Sequence, residues 1–252
     1  MSLEDAASLF SLTGVKKIFR SGTVALDGVD LSVARGDFLG ILGPSGCGKS
    51  TLLRIVAGLA EPSGGTLIGL DALKGKVSFV FQEPTLMPWA SVWDNVYLPL
   101  RLTGIGRHAA KERIDDLLHS VGLENFARSY PRELSGGMKM RVSIARALVT
   151  EPELLLLDEP FAALDEITRF KLNEDLLRLW QRHRWTVIFV THSVYESAFL
   201  SSRVVVMGPR PGRIAADVAD DLPYPRESAL RTTDSYGALC RDLSFRLAAA
   251  IA

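Results

Sequence analysis

Two glycine-rich segments of the chain have the residue types that bind phosphate groups. The first is GPSGCGKST, from Gly43 to Thr51, and it fits the pattern G-x-x-x-x-G-K-[ST]. In this pattern backbone N–H groups surround the phosphates, Lys49 reaches the β and γ phosphates, and the Ser50 hydroxyl contacts Mg²⁺. The second is LSGGM, from Leu134 to Met138, which offers a hydroxyl and backbone N–H groups at the start of a predicted helix. Either segment alone is also compatible with a glycine turn.

Polar side chains follow three apolar runs, at points where strands of a sheet would end. They are Gln82, the pair Asp158-Glu159, and His192. The carboxyl ends of strands deliver catalytic side chains in an open α/β sheet. Phosphoryl transfer to water needs a metal ion, a clamp on the developing charge and a group that orients or deprotonates the water. Asp158 suits the metal site and Glu159 suits the base. A carboxylate pair also caps helices, and a lone His or Gln commonly satisfies a turn, so order and position must decide.

The elements around the first glycine segment are a short apolar strand, Phe38–Leu42, and a helix, Ser50–Ala57. A strand, a glycine loop and a helix N-terminus in that order form an anion site. Upstream, Leu12–Val33 contains two or three strands broken by a turn at Ser21-Gly22, which predicts a small antiparallel sheet. Downstream of residue 150, apolar strands alternate with helices such as Asp165–His183. This alternation predicts a parallel sheet covered on both faces.

Three more helices are predicted. Apolar residues at i, i+3, i+4 and i+7 over Ile114–Val121 indicate an amphipathic helix that stops at Gly122. A second helix begins at or near Ser135. A third begins directly after His192, where Ser193–Glu196 fits a capping box. From about residue 209 the chain is rich in Pro, Arg and Asp and only weakly periodic.

Composition excludes several classes of protein. The chain has 252 residues, 47% of them hydrophobic, which suits one large domain or one domain with an inserted lobe. Lys plus Arg equals Asp plus Glu at 29 each, so the overall basic charge typical of nucleic-acid binders is lacking. The longest apolar runs are far shorter than the roughly 20 residues that cross a bilayer. With two cysteines and no signal-like start, we expect the chain to work in a reducing cytosol.

Taken together, these motifs resemble the ATP-binding subunit of an ATP-binding cassette (ABC) transporter, over about Leu12 to Pro211. The resemblance implies an α/β fold: a P-loop NTPase (RecA-like) parallel-sheet core with an N-terminal antiparallel β subdomain and an inserted α-helical lobe. It implies a single ABC ATPase domain over residues 1–252. Within it, residues 1–82 and 150–215 form the β subdomain and the core, 83–149 the helical signature lobe, and 216–252 a short C-terminal tail.

The resemblance assigns a role to each motif. The first glycine segment becomes the Walker A loop, Leu154–Glu159 the Walker B strand with its catalytic glutamate, and Ala163-Leu164-Asp165 the D-loop that crosses to a partner subunit. Gln82 becomes the loop glutamine that contacts Mg²⁺ and senses the γ-phosphate, and His192 the switch histidine. The implied catalytic residues are Glu159, His192 and Gln82, and the implied Mg²⁺ ligands are Ser50, Gln82 and Asp158. The implied ATP contacts are Phe19, Gly43, Pro44, Ser45, Gly46, Cys47, Gly48, Lys49, Ser50, Thr51, Ser135, Gly136, Gly137 and Asp165.

Three residues of these motifs differ from the family pattern or carry an expectation of their own. Phe19 falls where the family places an aromatic ring against adenine; Tyr is more usual, stacking needs only a π face, and a plain core aromatic is the alternative. LSGGM resembles the ABC signature, commonly LSGGQ; Met138 departs from it, but the phosphate contacts are expected from Ser135 and Gly137. Cys47 lies near a predicted helix N-terminus, which lowers a thiol pKa, so we expect it to be alkylated readily when the site is empty.

The resemblance also implies partners. The signature is carried away from the Walker A loop of its own chain, so a second copy of the chain completes each site. Membrane permease subunits are expected to dock near residues 83–99, where Leu86, Met87 and Trp89 form an apolar cluster; ordinary packing within the lobe is the alternative. A periplasmic or external substrate-binding protein would act indirectly, and no nucleic acid is expected.

The implied function is the ATPase of a bacterial importer. Two stretches, QEPTLMPWASVWDNVYLPL and THSVYESAFLSSRVVVMGPRPGRI, resemble importers of nitrate, sulfonate, taurine, bicarbonate or pyrimidine-type precursors. The chain would then lie peripherally on the cytoplasmic face of the inner membrane. Two alternatives remain: a soluble ABC ATPase that acts on nucleic acid or ribosomes, and a non-catalytic nucleotide-binding regulator.

Overall fold

The computed structural model describes residues 8–251, which form two sheets surrounded by helices. The strands are β1 (Ser8–Ile18), β2 (Val24–Ala34), β3 (Phe38–Leu42), β4 (Gly64–Ile68), β5 (Val77–Val80), β6 (Leu154–Asp158), β7 (Thr186–Thr191), β8 (Arg203–Met207) and β9 (Ile214–Ala219). The α-helices are α1 (Lys49–Val56), α2 (Val92–Leu102), α3 (Arg107–Ser120), α4 (Gly136–Leu148), α5 (Glu166–His183), α6 (Val194–Leu200) and α7 (Asp234–Ile251). No helix within the described range is long and apolar enough to cross a membrane.

The smaller sheet is antiparallel, as the alternating sequence predicts, with strand order β2-β1-β4. The turn between β1 and β2 is closed by hydrogen bonds from Phe19 N–H to Thr23 O at 2.9 Å and from Gly22 N–H to Phe19 O at 2.9 Å. The third strand, β4, comes from beyond α1 and was not predicted. It is a short strand with no fully buried residue, so its sequence lacks the apolar alternation that marks the other two.

The larger sheet has the order β5-β6-β7-β3-β8-β9, parallel except for β9, which pairs with β8 in the antiparallel sense. Strands β3, β6 and β7 are buried along their whole length, as expected for a sheet covered on both faces. Alternate residues of β3 face opposite cores: Phe38 and Leu42 pack with the helical lobe and α5, and Leu39 and Ile41 pack with α1 and the smaller sheet. The predicted α/β fold is confirmed.

The register of the central strands sets the position of the site. Leu42, the last residue of β3, pairs with Thr191 of β7, and Asp158, the last residue of β6, pairs with Val190 of β7. Because these strands are neighbours and parallel, the glycine loop after β3, the carboxylates after β6 and the histidine after β7 all leave the sheet at one edge.

Helices α2, α3 and α4 form the lobe inserted between β5 and β6, and they pack on one another. The predicted stop of α3 is present, since Gly122 has φ +68° just beyond the helix end. Ser135 caps α4, where its hydroxyl accepts a hydrogen bond from Met138 N–H at 3.3 Å. Both predicted helices of the lobe are therefore confirmed.

The C-terminal part of the chain is more ordered than its composition suggests. The boundary predicted at residue 216 cuts through β9, and the predicted tail contains the 18-residue helix α7. The buried residues of α7 are Tyr236, Cys240 and Leu243, at i, i+4 and i+7. This narrow apolar stripe attaches α7 to α6 and β8. The Arg, Asp and Ser residues between its members weaken the helical periodicity of the sequence, so the helix was not predicted.

Arg226 joins the C-terminal part to the core. Its Nη1 donates hydrogen bonds to the carbonyls of Ala198, Phe199 and Ser201 at 3.1, 3.2 and 2.9 Å, at the C-terminal end of α6. Its Nη2 lies 3.0 Å from an Asp220 carboxylate oxygen, and the two side chains are 0% and 2% exposed. Arg226 thus supplies donors to helix carbonyls that otherwise have no intrahelical partner.

Substitution of Arg226 by Ala should lower the free energy of unfolding by about 3–5 kcal/mol, because it leaves Asp220 as a buried carboxylate without a counter-charge. Urea denaturation followed by circular dichroism measures the change. The control is Arg246→Ala, which breaks an exposed i, i+4 pair with Asp242 on α7 and should cost below about 0.5 kcal/mol. Equal losses for the two variants would contradict this role of Arg226.

Candidate active site

Lys49, the first residue of α1, lies at the centre of the site. Its side chain is 3% exposed, and its Nζ donates hydrogen bonds to the carbonyls of Gly43 at 2.8 Å and Pro44 at 2.9 Å. The same Nζ lies 3.4 Å from Glu159 Oε1. The glycine loop therefore curls around its own lysine, and the ammonium group lies against the carboxylate predicted to be the base.

The glycines let the loop pass close to other backbone segments. Gly48 has φ +115°, and a Cβ there would lie 2.7 Å from Ala25 O. A Cβ on Gly43 would lie 2.8 Å from Met207 O. Side chains at these two positions would push the loop away from β2 and from the end of β8, so the glycines are needed for the tight placement of the loop.

Ser50 and Asp158 form the next pair. Ser50 Oγ donates a hydrogen bond to Asp158 Oδ1 at 2.8 Å. Burial raises the pKa of the Asp158 carboxyl, and the hydrogen bond from Ser50 opposes that rise. A hydroxyl and a carboxylate are the hard oxygen donors that Mg²⁺ prefers, and Mg²⁺ commonly uses only one or two protein ligands beside phosphate oxygens and water. No cluster of three or more His, Cys, Asp or Glu occurs within residues 8–251, so the fit rests on this pair.

Glu159 connects Lys49 to His192. Its Oε1 faces Lys49, and its Oε2 lies 3.2 Å from His192 Nδ1. Glu159 also has φ +46°, an uncommon value for a residue with a side chain, and its N–H donates a hydrogen bond to Val190 O at 3.0 Å. Backbone strain of this kind occurs at functional sites, where the surrounding structure holds it. It supports a working role for Glu159 rather than a helix-capping one.

Five of the predicted site residues are thus brought together in two contacting sets that are adjacent along the chain: Ser50 with Asp158, and Lys49 with Glu159 and His192. Gln82 is exposed and lies two residues beyond the end of β5, the strand beside β6, but its side chain makes no hydrogen bond within residues 8–251. Phe19 is 44% exposed in the β1–β2 turn, with the Lys17 ammonium 5.5 Å from its ring centroid. The exposed ring does not fit the plain-core alternative, and adenine stacking stays a prediction.

The predicted signature segment, residues 134–138, lies against the predicted D-loop, residues 163–165, of the same chain. A Cβ on Gly136 would lie 3.3 Å from Leu164 Cδ2, and one on Gly137 would lie 2.6 Å from Thr168 Cγ2. Asp165 caps α5, since its carboxylate accepts a hydrogen bond from Thr168 N–H at 3.0 Å. In the part of the chain that the structure describes, no hydrogen bond or ion pair joins Ser135–Met138 to the Walker A loop.

The expectation that Cys47 reacts readily is wrong for this structure. Cys47 is 1% exposed, and burial raises the pKa of its thiol, with the nearby Lys49 charge opposing the rise. A Cβ on Gly212 would lie 2.2 Å from Cys47 O, so the β8–β9 turn covers this residue. Desolvation outweighs the effect of the helix N-terminus because the thiol points into the core.

Sequence reasoning missed two contacts at the sheet edge. Arg210, in the β8–β9 turn, donates a hydrogen bond from Nη2 to Gly46 O at 3.1 Å and so contacts the glycine loop. It follows β8 at the edge that carries Asp158 and His192, so the rule about strand ends would have found it.

The second missed contact is the carboxylate of Glu196. Ser193 accepts a hydrogen bond from Glu196 N–H at 3.3 Å, as a capping box requires. The Glu196 side chain does not return the hydrogen bond to Ser193 N–H, which instead binds Thr191 Oγ1 at 3.0 Å. Only half of the predicted box is therefore present, and the glutamate has another use.

Comparison with known proteins found relatives over most of the chain. A family model described as "ABC transporter" matches residues 26–162. The chain is 47% identical over 222 residues to the aliphatic sulfonates import ATP-binding protein SsuB 1 of Pseudomonas savastanoi pv. phaseolicola. The alignment covers 87% of this chain and 89% of that protein.

Two solved structures are similar in fold. One is cbiO1 of Clostridium perfringens, described as part of the ABC transporter complex cbiONQ, with a TM-score of 0.77, 29% identity and coverage of 84% of this chain and 89% of that chain. The other is a bacterial ABC transporter cassette described as a dimeric structure, with a TM-score of 0.73, 32% identity and coverage of 83% and 98%.

We expect thiol reagents such as DTNB to react slowly with the native chain, because Cys47 and Cys240 are both buried and burial raises the pKa of both thiols. Both should react once guanidinium unfolds the protein. The control is Ser45→Cys, at an exposed position of the same loop, which should react rapidly in the native state. Rapid release of one equivalent of thionitrobenzoate from the unmodified native chain would contradict the burial of Cys47.

Proposed function

Because this chain belongs to the ABC transporter family and is an ATP-binding subunit that hydrolyses ATP, we propose that it drives a bacterial importer of a small anionic or heterocyclic nutrient. The observation that carries the ATPase part of the proposal is the connected group of Lys49, Glu159 and His192 beside the Ser50–Asp158 pair. These side chains come from three neighbouring strand ends and include a cation, a base and a pair of metal ligands. That set meets the needs of phosphoryl transfer to water. The import part is supported by the relative named as a sulfonate import protein.

Each residue has a distinct proposed task. Lys49 neutralises negative charge on the β and γ phosphates, and Glu159 orients and deprotonates the attacking water. His192 holds the Glu159 carboxylate through its other oxygen, Oε2. Ser50 and Asp158 would hold Mg²⁺, with Gln82 as the further ligand that the resemblance implies, and the ion would neutralise the charge that develops on the phosphates.

A second copy of the chain is proposed to complete each site. Ser135 and Gly136 are exposed at the N-terminus of α4, next to the D-loop, where backbone N–H groups form an anion site that their own Walker A loop does not use. The similar cassette described as dimeric supports this arrangement. Two chains would close face to face over two ATP molecules, and hydrolysis would open them.

The loop after Gln82 is proposed as the docking site for the membrane subunits. Arg146 of α4 donates hydrogen bonds to Pro84 O and Thr85 O at 2.8 Å each, and buried Asn95 of α2 accepts from Met87 N–H at 2.7 Å. Asn95 Nδ2 also donates a hydrogen bond to Ala90 O at 3.1 Å, so the loop is held on both sides of Trp89. Trp89, 77% exposed, is presented at a cleft of about 470 Å³. An apolar side chain on a rigid loop suits a short helix from a partner.

One relative supports the proposed substrate class. The aliphatic sulfonates named for one relative belong to the range of nutrients proposed here, which also includes nitrate, taurine, bicarbonate and pyrimidine precursors. The chain would be peripheral on the cytoplasmic face of the inner membrane, attached to its permease and served indirectly by an external substrate-binding protein. The alternative of a non-transport ATPase acting on nucleic acid or ribosomes gains no support from these relatives.

Substitution of Glu159 by Gln should lower kcat by roughly 10²–10⁴-fold, because the amide cannot deprotonate water, while ATP binding is retained. Phosphate release gives the rate, and light scattering should detect an ATP-bound dimer. The matched control is Glu151→Gln, a glutamate that also has positive φ (+51°) but lies outside the site on an exposed ion pair. Near-normal hydrolysis by the Glu159 variant would refute its role as the base.

Substitution of Trp89 by Ala should abolish association with the membrane subunits and leave ATP binding by the isolated chain unchanged, because the side chain contacts the cleft and not the nucleotide site. Co-sedimentation with membranes that contain the cognate permease measures association. Leu102→Ala is the control, an equally exposed apolar residue of the same lobe that does not line this cleft. Equal co-sedimentation of the unmodified chain and of both variants with the membranes would contradict docking at Trp89.

A further inference from the structure

A buried carboxylate outside the reaction centre holds the segment that carries the switch histidine. Glu196, in the first turn of α6, accepts a hydrogen bond on Oε2 from Thr191 Oγ1 at 2.5 Å. Thr191 Oγ1 in turn accepts from Ser193 N–H at 3.0 Å. Thr191 and Ser193 flank His192, so Glu196 sets the backbone on both sides of the histidine without contacting it.

The other oxygen of Glu196 faces α5. Its Oε1 lies 3.6 Å from Arg169 Nε, and within residues 8–251 neither atom has a hydrogen-bond partner although both are buried. Arg231, whose guanidinium packs 3.6 Å from the Phe199 ring centroid, adds positive charge near Glu196. The Glu196–Arg169 contact is therefore an ion pair just outside hydrogen-bond distance, and a movement of less than about one ångström would close it.

Arg169 extends this contact to the D-loop. Its Nη2 donates a hydrogen bond to Leu164 O at 3.0 Å, so one guanidinium faces both Glu196 and the D-loop backbone. Leu164 packs at Gly136, and Thr168 packs at Gly137, where the absence of side chains permits close approach. A continuous set of contacts thus runs from the residues beside His192, through Glu196 and Arg169, to the signature segment.

We propose that Glu196 is a positioning residue that couples the two ATP sites of the dimer. At one end of these contacts, His192 belongs to the site for the chain's own ATP. At the other end, the signature segment belongs to the site for the ATP held by the partner. This inference rests on the proposed closure of two chains over two nucleotides. The Glu196–Arg169 gap leaves two buried polar atoms without partners, so a shift of residues 191–193 that closes the gap is favoured. Because Arg169 also donates to Leu164 O, such a shift is linked to the position of the D-loop.

The alternative is that Glu196 only stabilises the start of α6, as half of a capping box. The two roles differ in what they predict for Arg169, which lies on another helix and makes no contact with the cap. A capping role makes Arg169 irrelevant to nucleotide-driven closure. A coupling role makes the effects of changing Glu196 and Arg169 non-additive, since either change breaks the same connection.

The test uses the full chain carrying Glu159→Gln, in which ATP-bound dimers accumulate. Glu196→Gln, Arg169→Gln and the double variant are compared, with Arg178→Gln as the matched control because Arg178 forms an exposed ion pair with Asp175 on the same helix α5. Light scattering gives the ATP concentration at half-maximal dimerisation. Fluorescent TNP-ATP gives the nucleotide affinity of the monomer, and thermal unfolding confirms that each variant is folded.

Each single substitution should raise the ATP concentration for half-maximal dimerisation about tenfold, within the usual range of coupling between sites. The double variant should be no worse than the singles, and TNP-ATP affinity should match the parent in every case. Arg178→Gln should dimerise like the parent. Loss confined to Glu196→Gln, additive losses in the double variant, or weakened TNP-ATP binding would each overturn the proposal.

Dimerisation of the parent chain with Glu159→Gln separates a failure of the coupling from a failure of the proposed function. If the parent chain with Glu159→Gln forms no dimer at any ATP concentration, the proposed closure is refuted and the coupling with it, before Glu196 is changed. If the parent dimerises and the variants at residues 169 and 196 dimerise equally well, only the coupling is refuted. Gln is used at residue 196 because it keeps the shape of the side chain in its buried position.

Discussion

The structure depends on the parallel register of β3, β7 and β6, which ends three strands at one level. That register lets a single carboxylate, Glu159, lie between the ammonium group of Lys49 and the imidazole of His192. A slip of one residue in any of the three strands would turn its terminal side chain to the opposite face of the sheet. Gly40 of β3 resists such a slip, because a Cβ at its position would lie 2.4 Å from Ser201 Oγ, so no larger side chain of the strand can take its place.

Much of the site could be predicted because its signals are local. The glycine pattern around Lys49 and the polar residues at 158, 159 and 192 stand at strand ends, and a strand end is readable from an apolar run. The burial of Cys47 was not readable, since it depends on Gly212, which lies far along the chain. The same applies to the partners of Glu196 and Arg226: sequence shows a charged residue but not the distant carbonyl or guanidinium that makes burial tolerable.

Helix α4 relates the two proposed contact surfaces of the lobe. It begins at the cap formed by Ser135, and near its other end Arg146 holds the loop that carries Trp89. Thirteen residues at the α-helical rise make a rod of about 20 Å. Because a packed helix moves as a unit, rotation of the lobe displaces the signature and the docking loop together. Under the proposed function, membrane subunits docked at this loop would thereby respond to the nucleotide held by the partner chain.

The hydrogen bonds from Arg226 to α6 have a consequence for the order in which the protein is made. Helix α6 has seven residues, too few for stability in isolation, and the donors for its last carbonyls come from a residue about 25 positions further along the chain. During synthesis on the ribosome, the glycine loop and its β3 strand emerge early and the donors of Arg226 emerge late. The glycine loop cannot be placed early either, because β3 pairs with β7 and β8 and the loop contacts Arg210. A functional ATPase is therefore one of the last features of the chain to mature.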